Sequence, residues 1–201
     1  MINGFLLIDK ESGITSSRVV QIIKKKFNFK KVGHLGTLDP MARGLLILAV
    51  NRATKFSSLL LQSKKSYQAE VTLGQQTDTD DAEGEVIFNH DVVCNEQEVS
   101  EKLLSFLGES LQFAPAYSAL KHKGKPMYKY ARDGIKVDKE ARKIKIDKID
   151  NISTNLPKVS FNITCSKGTY IRSIARDLGN QLGCGGHLSG LIRTSQQNFS
   201  I

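Results

Sequence analysis

The chain has 201 residues, of which 40% are hydrophobic and 24% charged, and a formal net charge of +9. This length suits one large domain, or a domain with a small appendage, and the apolar content argues against wholesale disorder. No run approaches the roughly 18 apolar residues of a membrane span, and Phe5-Leu6-Leu7-Ile8 is too short for a signal-peptide core before Asp9-Lys10-Glu11.

Gly4 to Lys10 reads as a short strand that ends in the turn Glu11-Ser12-Gly13. Thr15, Ser16 and Ser17 offer N-caps for a helix marked by Val19, Ile22, Ile23 and Phe27, with Lys24, Lys25 and Lys26 suiting its C-terminal dipole. Gly33 to Pro40 lacks periodicity and reads as a loop. The continuous apolar run Gly44–Val50 is the pattern of a strand buried on both faces. A short helix follows over Asn51–Ser63, with Ala53, Phe56, Leu59 and Leu60 expected on one side, and Ser66–Leu73 alternates as a strand. Asp78–Glu85 reads as a solvated acidic loop. Gln97–Leu107 shows helical spacing closed by Gly108. Ala114–Gly134 is basic and carries Tyr117, Tyr128 and Tyr130. Lys143–Ile152 reads as a strand with one irregularity, Val159–Cys165 as a strictly alternating strand, and Ile171–Leu182 as a helix apolar on one face. Leu188–Phe199 reads as a last strand. Strands and helices mix without regular βαβ alternation, which predicts an α+β fold with a mostly antiparallel sheet.

Charge is divided along the chain. Residues 1–67 sum to +9, residues 68–114 to −10 and residues 115–201 to +10. Two basic blocks around an acidic one suit a polyanion such as nucleic acid. Cys94, Cys165 and Cys184 are widely spaced, and the spacing Cys184…His187 is half a zinc site at best, so all three read as small buried or semi-buried residues of a protein in a reducing cytosol. Asp78 and Asp80 form an Asp-x-Asp that specifies little by itself.

Asp39 attracts the chemical question. It sits in a loop after Leu38 and before Pro40, where a carboxylate against apolar structure needs a partner; the same Asp-Pro beside glycine is also a common turn signature. Gly33-His34-Leu35-Gly36-Thr37-Leu38-Asp39-Pro40, followed by Ala42-x-Gly44-Leu45-Leu46, resembles the catalytic loop of the TruB family of tRNA pseudouridine synthases. Collinear matches extend over nearly the whole chain. They include Gly4-x-Leu6-Leu7-x-Asp9-Lys10-x-x-Gly13-x-Thr15-Ser16, Lys65-Ser66-Tyr67, Gly74-x-x-Thr77-Asp78-Thr79-x-Asp81-x-x-Gly84, Tyr117-Ser118-Ala119-Leu120-Lys121, Tyr128-x-x-Ala131-Arg132-x-Gly134 and Cys165-Ser166-Lys167-Gly168-Thr169-Tyr170-Ile171-Arg172.

The resemblance implies a pseudouridine synthase fold with a central catalytic cleft. The activity it implies is isomerisation of uridine to pseudouridine at position 55, in the T loop of tRNA. Asp39 matches the catalytic aspartate, Arg172 the arginine that pairs with it, and Tyr67 the aromatic that stacks on the target base. His34, Leu191, Lys10, Lys121 and Arg132 match positions near or on the RNA; Lys10 also reads as a brace for the loop, and Tyr67 also reads as a core residue. Pairing with Arg172 is expected to lower the pKa of Asp39. The reaction neither oxidises nor hydrolyses, so no cofactor or metal is expected. The expected partner is the T arm of tRNA, met by a cytoplasmic monomer. Glu11 and Ala114 stand where the family usually has proline. The chain stops at Ile201, where bacterial relatives continue into a C-terminal PUA-like RNA-binding domain, so residues 1–201 are expected to form a single catalytic domain without it. The two basic blocks are expected to converge around Asp39, with the acidic block turned away.

Overall fold

The computed structural model describes every residue except Met1, Lys136, Asp138 and Lys139. In chain order the elements are β1 (Gly4–Lys10), α1 (Ser16–Lys26), β2 (Val32–His34), β3 (Arg43–Val50), a 3-10 turn (Asn51–Phe56), α2 (Ser57–Leu61), β4 (Lys65–Leu73), β5 (Gln75–Thr77), β6 (Val86–Asn89) and α3 (Glu96–Leu104). These are followed by β7 (Gly108–Gln112), β8 (Lys121–His122), β9 (Lys125–Pro126), α4 (Met127–Arg132), β10 (Arg142–Asn155), β11 (Lys158–Cys165), α5 (Ile171–Gln181), β12 (Gly186–Gln196) and β13 (Phe199–Ser200). The fold is α+β, as the mixed patterning predicts.

One sheet runs in the order β1-β3-β12-β4-β11-β10-β7, with β2 paired to β3 and β13 to β12. All its pairings are antiparallel except β3 with β12, where Arg193 lies opposite Gly44. Gly44 has φ +97°, and a Cβ there would stand 2.4 Å from the Arg193 carbonyl oxygen, so only glycine permits this strand approach. β3 is buried on both faces, as its apolar run requires. Leu46 and Leu48 enter the main core with Val71, Ile163, Ile174 and Leu178, while Leu45, Ile47 and Ala49 enter a smaller core with Leu35, Ala53 and Leu60.

Three local expectations change. Asn51–Ser63 does not present one helical face: Ala53 and Leu60 are buried, but Phe56 and Leu59 are 57% and 69% exposed. The first half winds as a 3-10 helix, whose three residues per turn break the 3.6-residue spacing. The helix expected to reach Leu107 ends at Leu104, and Gly108 opens a strand instead of capping the helix. The segment read as a loop from Gly33 begins with the short strand β2, too brief to show alternation. Irregularity in β10 is observed, as register shifts at Ile146/Lys148 and Asp150/Ser153. Among the described residues no helix is long and apolar enough to cross a membrane.

Candidate active site

The loop from Leu35 to Ala42 is fastened from several directions. The Leu38 amide donates to Ser16 Oγ, and that hydroxyl donates to the Leu38 carbonyl, both at 2.9 Å. Lys10 Nζ donates to Pro40 O at 3.2 Å, to Ile14 O at 2.7 Å and to Glu11 O at 3.0 Å. Ser12 Oγ reaches Met41 O, and Gly13 N reaches Pro40 O. On the far side, Arg193 donates from Nε to Leu45 O at 2.7 Å, from Nη2 to Gly36 O at 3.0 Å and from Nη1 to Thr37 O at 3.5 Å. The Asp9-Lys10…Thr15-Ser16 motif therefore clamps the loop that carries Asp39. Lys10, expected among the substrate contacts, lies buried beneath the loop with its ammonium spent on carbonyls.

Asp39 meets Arg172 Nε at 3.0 Å across a cleft of about 280 Å³, with 36% of its side chain exposed and 6% of the arginine's. Arg172, on the first turn of α5, also donates to the carbonyls of Thr79 and Tyr117, each at 3.0 Å, and lies 3.4 Å from the buried Asp81 carboxylate. Arg172 does act to lower the pKa of Asp39, but the net shift is upward. Burial raises the Asp39 carboxyl and the Asp81 charge adds to it; Arg172 and Lys10 pull it back without changing the sign. One guanidinium is shared between two carboxylates.

The acidic loop is therefore not turned away. Asp80 and Asp81 are buried: Asp81 faces Arg172, and Asp80 pairs with Arg176 Nη1 at 2.9 Å one helical turn on. Two Asp–Arg pairs dock residues 78–85 against α5, so Asp80 and Asp81 are anchors and not part of a solvated run, while Asp78 accepts from the Glu85 amide. The sequence held a signal for this, since Arg172 and Arg176 share a helix face and two adjacent aspartates can meet them.

Tyr67 lies on β4 opposite Arg193 and lines the cleft while packing into the core, so its two sequence readings describe one placement. Burial pushes its phenol up to about 12, with Arg193 opposing through charge and a hydrogen bond. Leu191 lines the same cleft, two residues from Arg193 on β12. His34 ends β2 just before the loop and is not among the cleft-lining residues. Its ring is held neutral-leaning by burial and by Arg193, and its Nδ1 is buried without a hydrogen-bond partner among the described residues. Lys121, on β8, lines a separate cavity with Met127 and Arg142, and Arg132, at the end of α4, lies 5.5 Å over the Tyr128 ring. The structure thus brings Asp39, Arg172, Tyr67 and Leu191 together and leaves Lys121 and Arg132 outside the cleft.

A family profile described as TruB family pseudouridylate synthase (N terminal domain) matches residues 24–171. The chain belongs to the TruB family. A relative named tRNA pseudouridine synthase B, from Alkaliphilus oremlandii, is 47% identical over 99% of this chain and 67% of its own length. A like-named protein from Burkholderia pseudomallei is 49% identical over 96% of this chain and 64% of its own. The chain thus spans about two thirds of these TruB-family relatives. Among solved structures, a chain of a Cbf5-Nop10-Gar1 complex superposes with a TM-score of 0.76 at 31% identity, over 98% of this chain and 50% of that one. A chain of an H/ACA RNP bound to a substrate RNA containing 2′-deoxyuridine gives a TM-score of 0.73 at 29% identity. The fold is that of pseudouridine synthases.

Proposed function

We propose that the protein isomerises uridine to pseudouridine at position 55, in the T loop of tRNA, acting as a monomer in the cytosol. The observation that carries this reading is the Asp39–Arg172 pair in a cleft sized for one base, beside the Tyr67 ring. The C1′–N1 bond of uridine breaks, the uracil turns, and C5 bonds to C1′. The C5 proton is lost and N1 gains one, so atoms and electrons balance without an oxidant. Asp39 supplies the carboxylate that such glycosidic chemistry needs at an electron-poor sugar carbon, or as a nucleophile toward the base at C6. Arg172 orients that carboxylate and holds its ionised form. Tyr67 stacks on the extruded base, worth roughly 1–3 kcal/mol, against an extrusion cost of a few kcal/mol. Leu191 borders the pocket, and in this reading Lys121, Arg132 and His34 contact the RNA around the extruded base.

The test is incubation with an unmodified tRNA transcript, followed by mapping of pseudouridine. Turnover by the wild-type chain is expected, with none by Asp39→Asn, whose RNA affinity stays within a few-fold. A chain that binds the transcript and never modifies it would favour a non-catalytic RNA-binding protein. The rival of a metal-dependent hydrolase built on Asp78 and Asp80 is weakened by the Arg176 pairing of Asp80.

A further inference from the structure

Two cations of the cleft have no role in the scheme above. Lys65 and Arg193 both line it, and neither is ion-paired with a carboxylate of the described residues. Arg193 is 1% exposed and spends its N–H groups on carbonyls and the Tyr67 phenol. Lys65 is different. It precedes Tyr67 by two residues on β4, so both side chains stand on the same face, one strand repeat of roughly 7 Å apart. Its stem passes the catalytic loop at Gly36, where a Cβ would be 3.4 Å from Lys65 Cε. Its ammonium donates to Ser63 O at 2.9 Å and Leu61 O at 3.4 Å, and the half-buried side chain lines the cleft. A cation lining a substrate pocket, with no carboxylate paired to it among the described residues, calls for an anion in the substrate.

The reaction supplies that anion. When C1′–N1 breaks heterolytically, the electron pair leaves with the base and spreads from N1 onto the uracil carbonyl oxygens, while the sugar carbon is left electron-poor. We propose that Lys65 is a further catalytic residue, its ammonium hydrogen-bonding a carbonyl oxygen of the uracil and holding the negative charge of the detached base until C5 rejoins C1′. The proton stays on the lysine throughout. Arg193 is the positioning residue behind it, a fixed cation that keeps this end of the cleft positive. This inference rests on the isomerase reading.

Burial and Arg193 bring the Lys65 ammonium down to about 8. The other groups facing it are Cys165 across β11, raised to about 11, Tyr67, raised to about 12, and, beyond the loop, His34 and Asp39. The α2 side offers only the Leu61 and Ser63 carbonyls, and Lys167 beyond it is exposed and bonds Gln62. Cys165 and Tyr67 are pushed well above Lys65 and the His34 ring is pushed down, away from it, so an alkaline fall that depends on residue 65 is assigned to Lys65 by comparing wild type with Lys65→Arg.

Single-turnover assays with a T-arm RNA at saturating enzyme test this, after wild-type turnover has been established. Lys65→Met should slow the rate about 100-fold or more, with RNA affinity within about threefold. Lys65→Arg should restore much of the rate, and should abolish the alkaline fall that wild type shows as pH rises through about 8. A Lys65→Met rate within about threefold of wild type, a loss confined to RNA affinity as a phosphate clamp would give, or an alkaline fall unchanged in Lys65→Arg would each overturn the assignment. If Lys65→Met does not fold by thermal melting, the wild-type and Lys65→Arg pH profiles decide alone. A wild-type chain that leaves the RNA unmodified would overturn the isomerase reading, and this inference with it.

Discussion

Replacing Arg172 by methionine tests the electrostatics of the site most directly. The side chain is nearly fully buried, pairs with Asp39 at 3.0 Å and Asp81 at 3.4 Å, and satisfies the Thr79 and Tyr117 carbonyls. Methionine keeps much of the volume and removes every polar contact. Deleting one partner of a buried ion pair costs about 3–5 kcal/mol, and each orphaned carbonyl adds to this at about 1–3 kcal/mol if water cannot reach it. A loss of about 3–5 kcal/mol is therefore expected in urea unfolding at neutral pH. The pH dependence carries a sign. In wild type the folded-state pKa of Asp39 is already raised, so ionised Asp39 opposes folding above its unfolded pKa. Without Arg172 that carboxyl rises further. Protonation then relieves the cost, and the stability gap between Arg172→Met and wild type should narrow as pH falls toward 5. Adding Asp39→Asn to Arg172→Met should recover part of the loss at neutral pH. The reasoning fails if Arg172→Met costs under about 1 kcal/mol, the range of an exposed pair, or if the gap widens on acidification.

Ser16→Ala leaves the Leu38 amide and carbonyl without their shared hydroxyl; it should cost about 1–3 kcal/mol by denaturant unfolding and slow turnover by releasing the loop that carries Asp39. Gly44→Ala forces a Cβ into the Arg193 carbonyl at a positive φ, and should lower the melting temperature by more than an ordinary surface glycine replacement such as Gly4→Ala. Tyr67→Phe keeps the ring and its packing, so RNA affinity should hold within a few-fold, whereas Tyr67→Ala should lose about 1–3 kcal/mol of base stacking, read as the dissociation constant of an inactive Asp39→Asn background. RNA binding should weaken steeply with salt in proportion to the phosphates neutralised; a flat response in filter binding would contradict the reading of the two basic blocks.

Legibility in the sequence followed contact range. β3 and β11 declare themselves, because burial of both faces or of one face writes a continuous or alternating pattern into adjacent residues. α1 does so through its Thr15 cap and terminal lysines. Asp39, Tyr67 and Arg172 are visible through their motifs, which also led to the expectation that they meet. What the sequence hides is which charges share a partner. Asp81 sits within an acidic run that reads as solvated, and only the docking of residues 78–85 on α5 turns it into a second claimant on Arg172. Burial of Asp39 sets the upward sign of its shift, and this contact, spanning about ninety positions of chain, adds to it. Arg193 is hidden for the same reason: its burial depends on a parallel pairing that requires Gly44, and a single arginine in the last strand gives no hint that it will hold the Gly36 and Thr37 carbonyls.

The two buried arginines divide the cleft electrically. On the side built by the loop and α5, Asp39, Asp81 and Glu83 outnumber Arg172 and the Lys10 beneath the loop, and the local sum is negative. On the side built by β4 and β12, Arg193 and Lys65 stand without a paired carboxylate among the described residues, and the local sum is positive. Breaking a glycosidic bond separates charge in one direction, positive at the sugar carbon and negative on the base. A ribose seated toward Asp39 with its uracil toward Lys65 would have that separation aligned with a field fixed before the substrate arrives, which is how preorganised dipoles and charges lower a barrier. Swapping the polarity is then more damaging than deleting it. Lys65→Glu, which places an anion where the base becomes negative, should be slower than Lys65→Met in single-turnover assays at equal RNA occupancy. Equal rates for the two variants would show that the field at this position does not act on the reacting base.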